Sequence, residues 1–280
     1  MTRSLIVNAD DFGRTRGVSA GIIQAHQRGF VTSTTAMMNF TGAAQDLHLA
    51  QTEAPKLGLG VHLVFTAGRP LLPTEWAASL VDEHGHFLTQ EAIQADPTRI
   101  DQDELRSELK SQVTAFKNAL NRLPDHLDAH HFVHVHPHLF QVYLEVAEGF
   151  RLPARIPIPR PGSTLEQLPS IAGHVPPAAA QQMMELDWEL LAAHPVTSTD
   201  QFIASFYDQQ ATSAHLLQLL SSLPDGRSEL MTHPGLADDD LKSSSSYNVQ
   251  REQEVAALCD PQVLARVNEL GIQLITFSDL

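Results

Sequence analysis

Leu5-Ile6-Val7-Asn8-Ala9-Asp10-Asp11-Phe12-Gly13 is a short apolar run that ends in two adjacent carboxylates. Val18, Ile22 and Ala25 follow at helical spacing and Gly29 closes them, so the opening reads as strand, loop, helix. The same alternation recurs outward from it. Leu57 to Phe65, with glycines at 58 and 60, suits a buried strand. Asp101 to Leu123 is an amphipathic helix with Leu105, Leu109, Val113, Phe116 and Leu120 on one stripe, Asp101 and Glu104 as a capping-box variant and Pro124 as its stop. Further strands are expected at His126 to His130, near Arg155-Ile156, at Glu229 to Thr232 and at Ile272 to Thr276, with a helix around Leu139 to Gly149. Repeated strand-helix units predict an α/β fold with a mainly parallel sheet, open or closed into a barrel. No shift of composition divides the chain, so residues 1–280 read as a single domain. Proline-rich Arg151 to Pro177 and Leu236 to Tyr247, where serines follow aspartates, read as loops at the sheet rim, the second as a candidate lid.

Composition narrows the function. With 42% apolar and 18% charged residues the chain has enough to bury for a folded core. A net charge of -15 repels phosphate backbones and argues against nucleic acid as partner. No apolar run approaches the ~20 residues of a membrane span, and Leu5-Ile6-Val7 is too short for a signal-peptide core, so the expectation is a soluble, cytoplasmic protein. Cys259 is the only cysteine, which excludes an internal disulfide and a thiolate cluster. A metal site would have to be built from His, Asp and Glu, and fifteen histidines supply the material.

Four segments place such residues at strand ends. Asp10 and Asp11 close the first strand, where α/β proteins put ligand-facing loops. Adjacent strand residues point to opposite faces, so the pair divides between cation binding and acid-base work unless one merely caps the next helix. His62 lies inside the apolar Gly58-Leu59-Gly60-Val61-His62-Leu63, where an imidazole needs a metal or a carbonyl to satisfy it. His126-Leu127-Asp128-Ala129-His130-His131-Phe132-Val133-His134 belongs to a run with six histidines in thirteen positions, and 126, 128 and 130 share one strand face. His233, in Thr232-His233-Pro234-Gly235, stands where a strand meets a turn.

These stretches, with Val31 to Met37, Gly60 to Pro70, Ser246-Tyr247-Asn248, Arg251-Glu252 and Gly271 to Ile275, resemble in order the motifs of the YdjC-like carbohydrate deacetylases. The resemblance implies a distorted (β/α) barrel and a metal-dependent hydrolase that removes the N-acetyl group of an amino sugar, in a chitooligosaccharide or a glucosamine-containing glycolipid. By position it implies Asp11, His62 and His130 as metal ligands. It makes Asp10 the general base that takes a proton from the water the metal activates, and His233 the acid that protonates the leaving amine. His134 and Arg155 are implied as substrate or supporting contacts. His130-His131-Phe132 departs from the family's triple histidine, and Ala129 replaces its usual serine. The resemblance implies one divalent ion, magnesium, whereas two imidazoles and a carboxylate favour zinc or a similar ion on ligand chemistry. It also admits a homodimer, for which the sequence offers no seam.

Two rivals are a metal-dependent phosphoesterase, for which basic residues are few, and a non-catalytic sugar- or metal-binding protein on the same fold. Trp76, Trp188, Phe202, Phe206 and Tyr207 are sugar-platform or packing candidates. His26, His48, His84, His86, His174, His194 and His215 read as surface residues, and Cys259 as a small buried one.

Overall fold

Ten residues of β1 (Arg3–Phe12) open the chain, and from Leu5 onward all are buried. A strand buried on both faces must be covered on both sides, in a curled sheet by helices outside and packed side chains within. α1 (Arg16–Arg28), β2 (Ser33–Ala36), α2 (Ala43–Glu53) and β3 (Gly58–Leu63) supply the first layers. They are followed by α3 (Gln90–Ala95), α4 (Gln102–Leu120), β4 (Leu127–Ala129) and α5 (Pro137–Phe150). The second half contains α6 (Pro177–Ala193), β5 (Gln201–Ile203), α7 (Ser213–Ser222) and β6 (Gly226–Thr232). α8 (Asp239–Ser244), α9 (Gln250–Leu258), α10 (Pro261–Glu269) and β7 (Gln273–Leu274) complete it. The structure, a computed structural model, describes residues 2–159 and 177–280.

All strand pairs are parallel, in the order β4-β3-β2-β1-β6-β5. β7 pairs Ser4 and Leu5, the part of β1 that β2 does not cover. Between β4 and β5 the sheet curls round through a single bridge, Ala154 to Leu127, and Ala154 N donates to Thr197 O at 2.9 Å. The result is the expected distorted, incomplete barrel, and parallel order brings every strand's C-terminal end to one rim.

Three local expectations are corrected. The strand near Arg155-Ile156 is only that bridge, because Pro153 and Pro157 have no N–H with which to continue a ladder. Leu236 to Tyr247 is not a free loop. Asp238 caps α8 through Leu241 N at 2.8 Å and also accepts from Gly17 N at 2.6 Å, which ties the segment to α1. Cys259 is half-buried, not enclosed. The long helix behaves as read: Asp101 accepts from Asp103 N and Glu104 N, and Asn121 at φ 53° ends it before Pro124. His174 and most of the proline-rich segment lie outside the described residues.

Candidate functional site

The site begins with an irregularity in β1. Asn8 and Ala9 face Ser33 and Thr34, but Phe12 faces Ala36, so β1 carries one extra residue against β2. Asp11 takes the left-handed φ of 70° at that bulge. A bulge suspends the strict alternation of faces, and both Asp10 and Asp11 line the same cleft. Gly13, at φ 80°, lets the chain turn away, since a Cβ there would lie 2.6 Å from that of Ala43.

Asp11 meets His62 from β3 and His130 from just beyond β4. Asp11 Oδ1 is 3.0 Å from His130 Nδ1 and 3.4 Å from His62 Nε2, and the two ring nitrogens are 3.2 Å apart. All three side chains are buried. These edges match neighbouring ligand atoms around an ion with bonds of about 2.1 Å, which lie about 3.0 Å apart in an octahedron and about 3.4 Å in a tetrahedron. Asp11 Oδ1 accepts no well-directed hydrogen bond among the described residues, so an acceptor is left over where an ion would bind. His62 Nδ1 lies 2.7 Å from Asp128 Oδ1, a contact that turns Nε2 toward Asp11 and His130. Burial works against a charge on His62, but Asp128, Asp11 and Asp10 outweigh it and carry its pKa up to about 10. His130 is pulled down by burial, which Asp11 only partly offsets. Burial would raise Asp11, yet His130 and Arg251 hold it well below the usual carboxylate range.

Asp10, His62 and Asp128 also lie close enough to share an ion, but their oxygens are already taken. Arg155 donates to both oxygens of Asp10, at 2.6 and 2.7 Å, and Asn8 Nδ2 adds 2.9 Å. Arg155 also reaches Asp128 Oδ2 at 3.0 Å and gives its Nε to Glu229 Oε1 at 2.7 Å. Thr35 Oγ1 donates to Asp128 Oδ2 at 2.9 Å. Burial would raise Asp10, but Arg155 overrides it, so this carboxylate stays ionised. Asp10 is therefore held as an anion with fixed orientation, and Asp11 keeps one oxygen free of a hydrogen-bond donor among the described residues.

His233 follows β6 and brings Nε2 to 3.9 Å from Asp10 Oδ2. Its backbone N donates to Glu254 Oε2 at 2.5 Å, and Glu254 Oε1 accepts from Tyr247 Oη at 2.5 Å. Burial lowers His233 to about 4 despite Asp10 and Asp11, so the imidazole is neutral near pH 7.

The rim ends open into a cleft of about 1870 Å³ lined by Asp10, Asp11, His62, His130, Arg155's neighbour Ile156 and His233 among others. Of the proposed platform aromatics, Trp188, Phe202 and Tyr207 line it. Phe206 is buried and Trp76 is 65% exposed, and neither is among the lining residues. Asp10, Asp11, His62, His130 and His233 come together as expected, with Arg155 directly behind Asp10. His134 is placed differently: it is buried against Tyr143, ring centroids 4.8 Å apart, and does not line the cleft. His131, at φ 51°, lines the cleft with Nδ1 3.0 Å from Thr66 Oγ1, a placement that reading by strand face did not give. The supporting residues Asn8, Glu229, Arg251 and Glu254 were missed as site residues. Buried positions for four polar side chains are the signal that would have found them, and burial is not legible in a single sequence.

Residues 4–269 match the family described as YdjC-like protein. A carbohydrate deacetylase of Geobacillus stearothermophilus is 36% identical over 280 residues, covering 100% of this chain and 98% of the relative. A chitooligosaccharide deacetylase of Proteus mirabilis is 34% identical and covers 100% of both chains. A solved structure from Enterococcus faecalis V583, of a protein named for cellobiose-phosphate cleavage, superposes with a TM-score of 0.84 at 33% identity and covers 100% of this chain and 99% of its own. A family match over residues 4–269 and relatives of this similarity place the chain in the YdjC-like protein family.

Proposed function

We propose that this chain is a metal-dependent carbohydrate deacetylase that hydrolyses the N-acetyl group of an amino sugar. The observation that carries the reading is the pairing, in one open cleft, of a ligand triad with a spare acceptor and a separate, arginine-held carboxylate. Names borne by relatives support the substrate class. Asp11, His62 and His130 would hold the ion, and two imidazoles with one carboxylate favour zinc or a similar ion over magnesium. When bound, such an ion would supply Lewis acidity to the acetyl carbonyl and to the attacking water.

Asp10 accepts the proton of that water. Arg155 fixes both of its oxygens, so Asp10 is always ionised but is a weak base, matched to a water whose acidity has been raised. The nitrogen of the amide leaves as an amine only if it gains a proton. His233 is the group that delivers it, and because it rests neutral it must first receive one. Asp10 Oδ2, 3.9 Å from His233 Nε2, is the nearby holder of the proton taken from water. The two residues thus pass one proton from nucleophile to leaving group. Trp188, Phe202 and Tyr207 offer ring faces to a pyranose on the cleft walls.

Cleavage of a phosphate ester is the second reading, favoured by the name of the Enterococcus relative. Against it, Arg155 and Arg251 are already committed to Asp10 and Asp11. The test is release of acetate and of phosphate measured side by side from diacetylchitobiose, free N-acetylglucosamine, a lipid-linked N-acetylglucosamine and a phosphorylated disaccharide. Acetate from any N-acetyl sugar, abolished by chelation, is expected. Phosphate without acetate would replace the reading.

A further inference from the structure

Arg251 lines the cleft and has no part in the proposed chemistry. It belongs to α9, a helix that also carries Glu254 one turn on, so a single buried helix face reaches both sides of the site. Arg251 NH2 donates to Asp11 Oδ2 at 2.5 Å, the oxygen that does not face His62 and His130. The guanidinium is locked from three further directions. Its Nε donates to Tyr247 O at 3.1 Å, NH1 lies 3.5 Å from His233 O, and the group stands 5.4 Å over the Tyr247 ring. Gly235 leaves room for its stem, since a Cβ there would sit 3.1 Å from Arg251 Cδ. At 3% exposure the side chain has no alternative place to go.

A carboxylate can bind an ion through one oxygen or two, and the second mode fills a position that substrate or water would otherwise take. We propose that Arg251 is a positioning residue that occupies Asp11 Oδ2 and so confines Asp11 to single-oxygen ligation of the ion, which keeps coordination positions open. The inference rests on the metal-centre reading above. Burial, the fixed guanidinium and the division of labour between the two Asp11 oxygens support it, while Asp10 shows the contrasting case in which an arginine engages both oxygens.

The experiment uses cobalt(II) as the probe ion in the full chain, comparing wild type, Arg251→Met and Arg251→Lys. The visible absorption of cobalt weakens as its coordination number rises. Wild type is expected to give an intense band of stoichiometric cobalt. The Met variant should keep its cobalt but show a severalfold weaker band per ion, with kcat lowered about 10- to 100-fold, the size usual for supporting shells of metal ligands. The Lys variant, which keeps the charge but not the fork, should fall between the two. An unchanged band in a Met variant that has lost activity overturns the inference and leaves the metal centre standing. So does loss of cobalt from both variants, or loss of their native near-ultraviolet dichroism, since Arg251 would then be needed for binding or folding itself. Failure of wild type to bind cobalt overturns the metal centre and the inference together.

Discussion

Replacing Asp10 by asparagine separates the base from the metal centre. Asp10 takes three donors, two from Arg155 at 2.6 and 2.7 Å and one from Asn8 at 2.9 Å. An amide has one acceptor oxygen, so one arginine N–H would face an NH2 group. Arg155 keeps Asp128 at 3.0 Å and Glu229 at 2.7 Å, and is not left as a bare buried charge. The loss is therefore about one charged hydrogen bond, on the order of 1.5–3 kcal/mol of stability, a shift of several degrees in the melting temperature. Loss of a general base costs about 10²- to 10⁴-fold in rate, or ~3–5 kcal/mol of barrier. None of the three triad atoms is touched, so metal content should not change. The assay combines acetate release, metal analysis of desalted protein and a thermal melt. Turnover within a fewfold of wild type would refute the assignment of Asp10. Loss of the metal would refute the separation of the two carboxylates.

Other expectations follow from the same geometry. His130→Ala removes one of the three ligands, and both bound metal and turnover should disappear while the far-ultraviolet dichroism is retained; metal analysis alongside activity checks this. Binding should also depend on pH. With His62 at about 10 in the ion-free protein, an ion must displace a proton, and apparent affinity should rise about tenfold per pH unit between pH 6 and 8. A flat titration would mean that His62 is not a ligand. Glu229 supplies a stability test: burial raises it to about 7 against the pull of Arg155. A carboxyl whose folded pKa is raised favours folding below its unfolded value near 4.5, and that advantage is lost as pH climbs through 7. Glu229→Gln should therefore gain melting temperature relative to wild type on going from pH 5 to pH 8, and an opposite trend would show that its charge is needed against Arg155.

Much of the barrel was legible because its strands are short apolar runs bounded by glycine, proline or carboxylates. Leu5-Ile6-Val7 leads into Asp10-Asp11, and Gly58 to Leu63 carries His62 one residue before its end, within β1 and β3. Motif order picked out Asp11, His62, His130 and His233, which the structure brings together, for a different reason, resemblance. What escaped was whatever depends on long-range contact. Arg251 and Asp11 are 240 residues apart in sequence, and Arg155 and Asp10 are 145 apart. Spacing carries no trace of such pairs. α8 hid behind polar residues because its stability comes from the Asp238 cap and one buried leucine, not from an apolar stripe. His134 misled for the complementary reason: His130, His131 and Phe132 just before it line the cleft, while the turn of 3-10 helix at Phe132–Val135 places it against Tyr143.

Adjacent aspartates in a regular strand should not cooperate, and spacing left it open which would bind and which would catalyse, roles that only the resemblance assigned. The bulge resolves the first difficulty by turning both toward the cleft, and their partners set the two apart as the proposed roles require. Asp10 has both oxygens engaged by Arg155, which keeps it an anion deep in the protein and leaves Oδ2, with one donor, free to take a proton. Asp11 has a donor on one oxygen only, and the other stands beside two imidazoles. The chemical difference between the two residues is therefore the count of donors on each carboxylate, set by Arg155 on one side and Arg251 on the other. An arginine delivers a fork or a single N–H according to where its stem is anchored, Ala154 and β4 in the first case, α9 in the second. The roles of the dipeptide are thus written in segments far from it, and swapping the two aspartates' partners, not the aspartates, is what would exchange their functions.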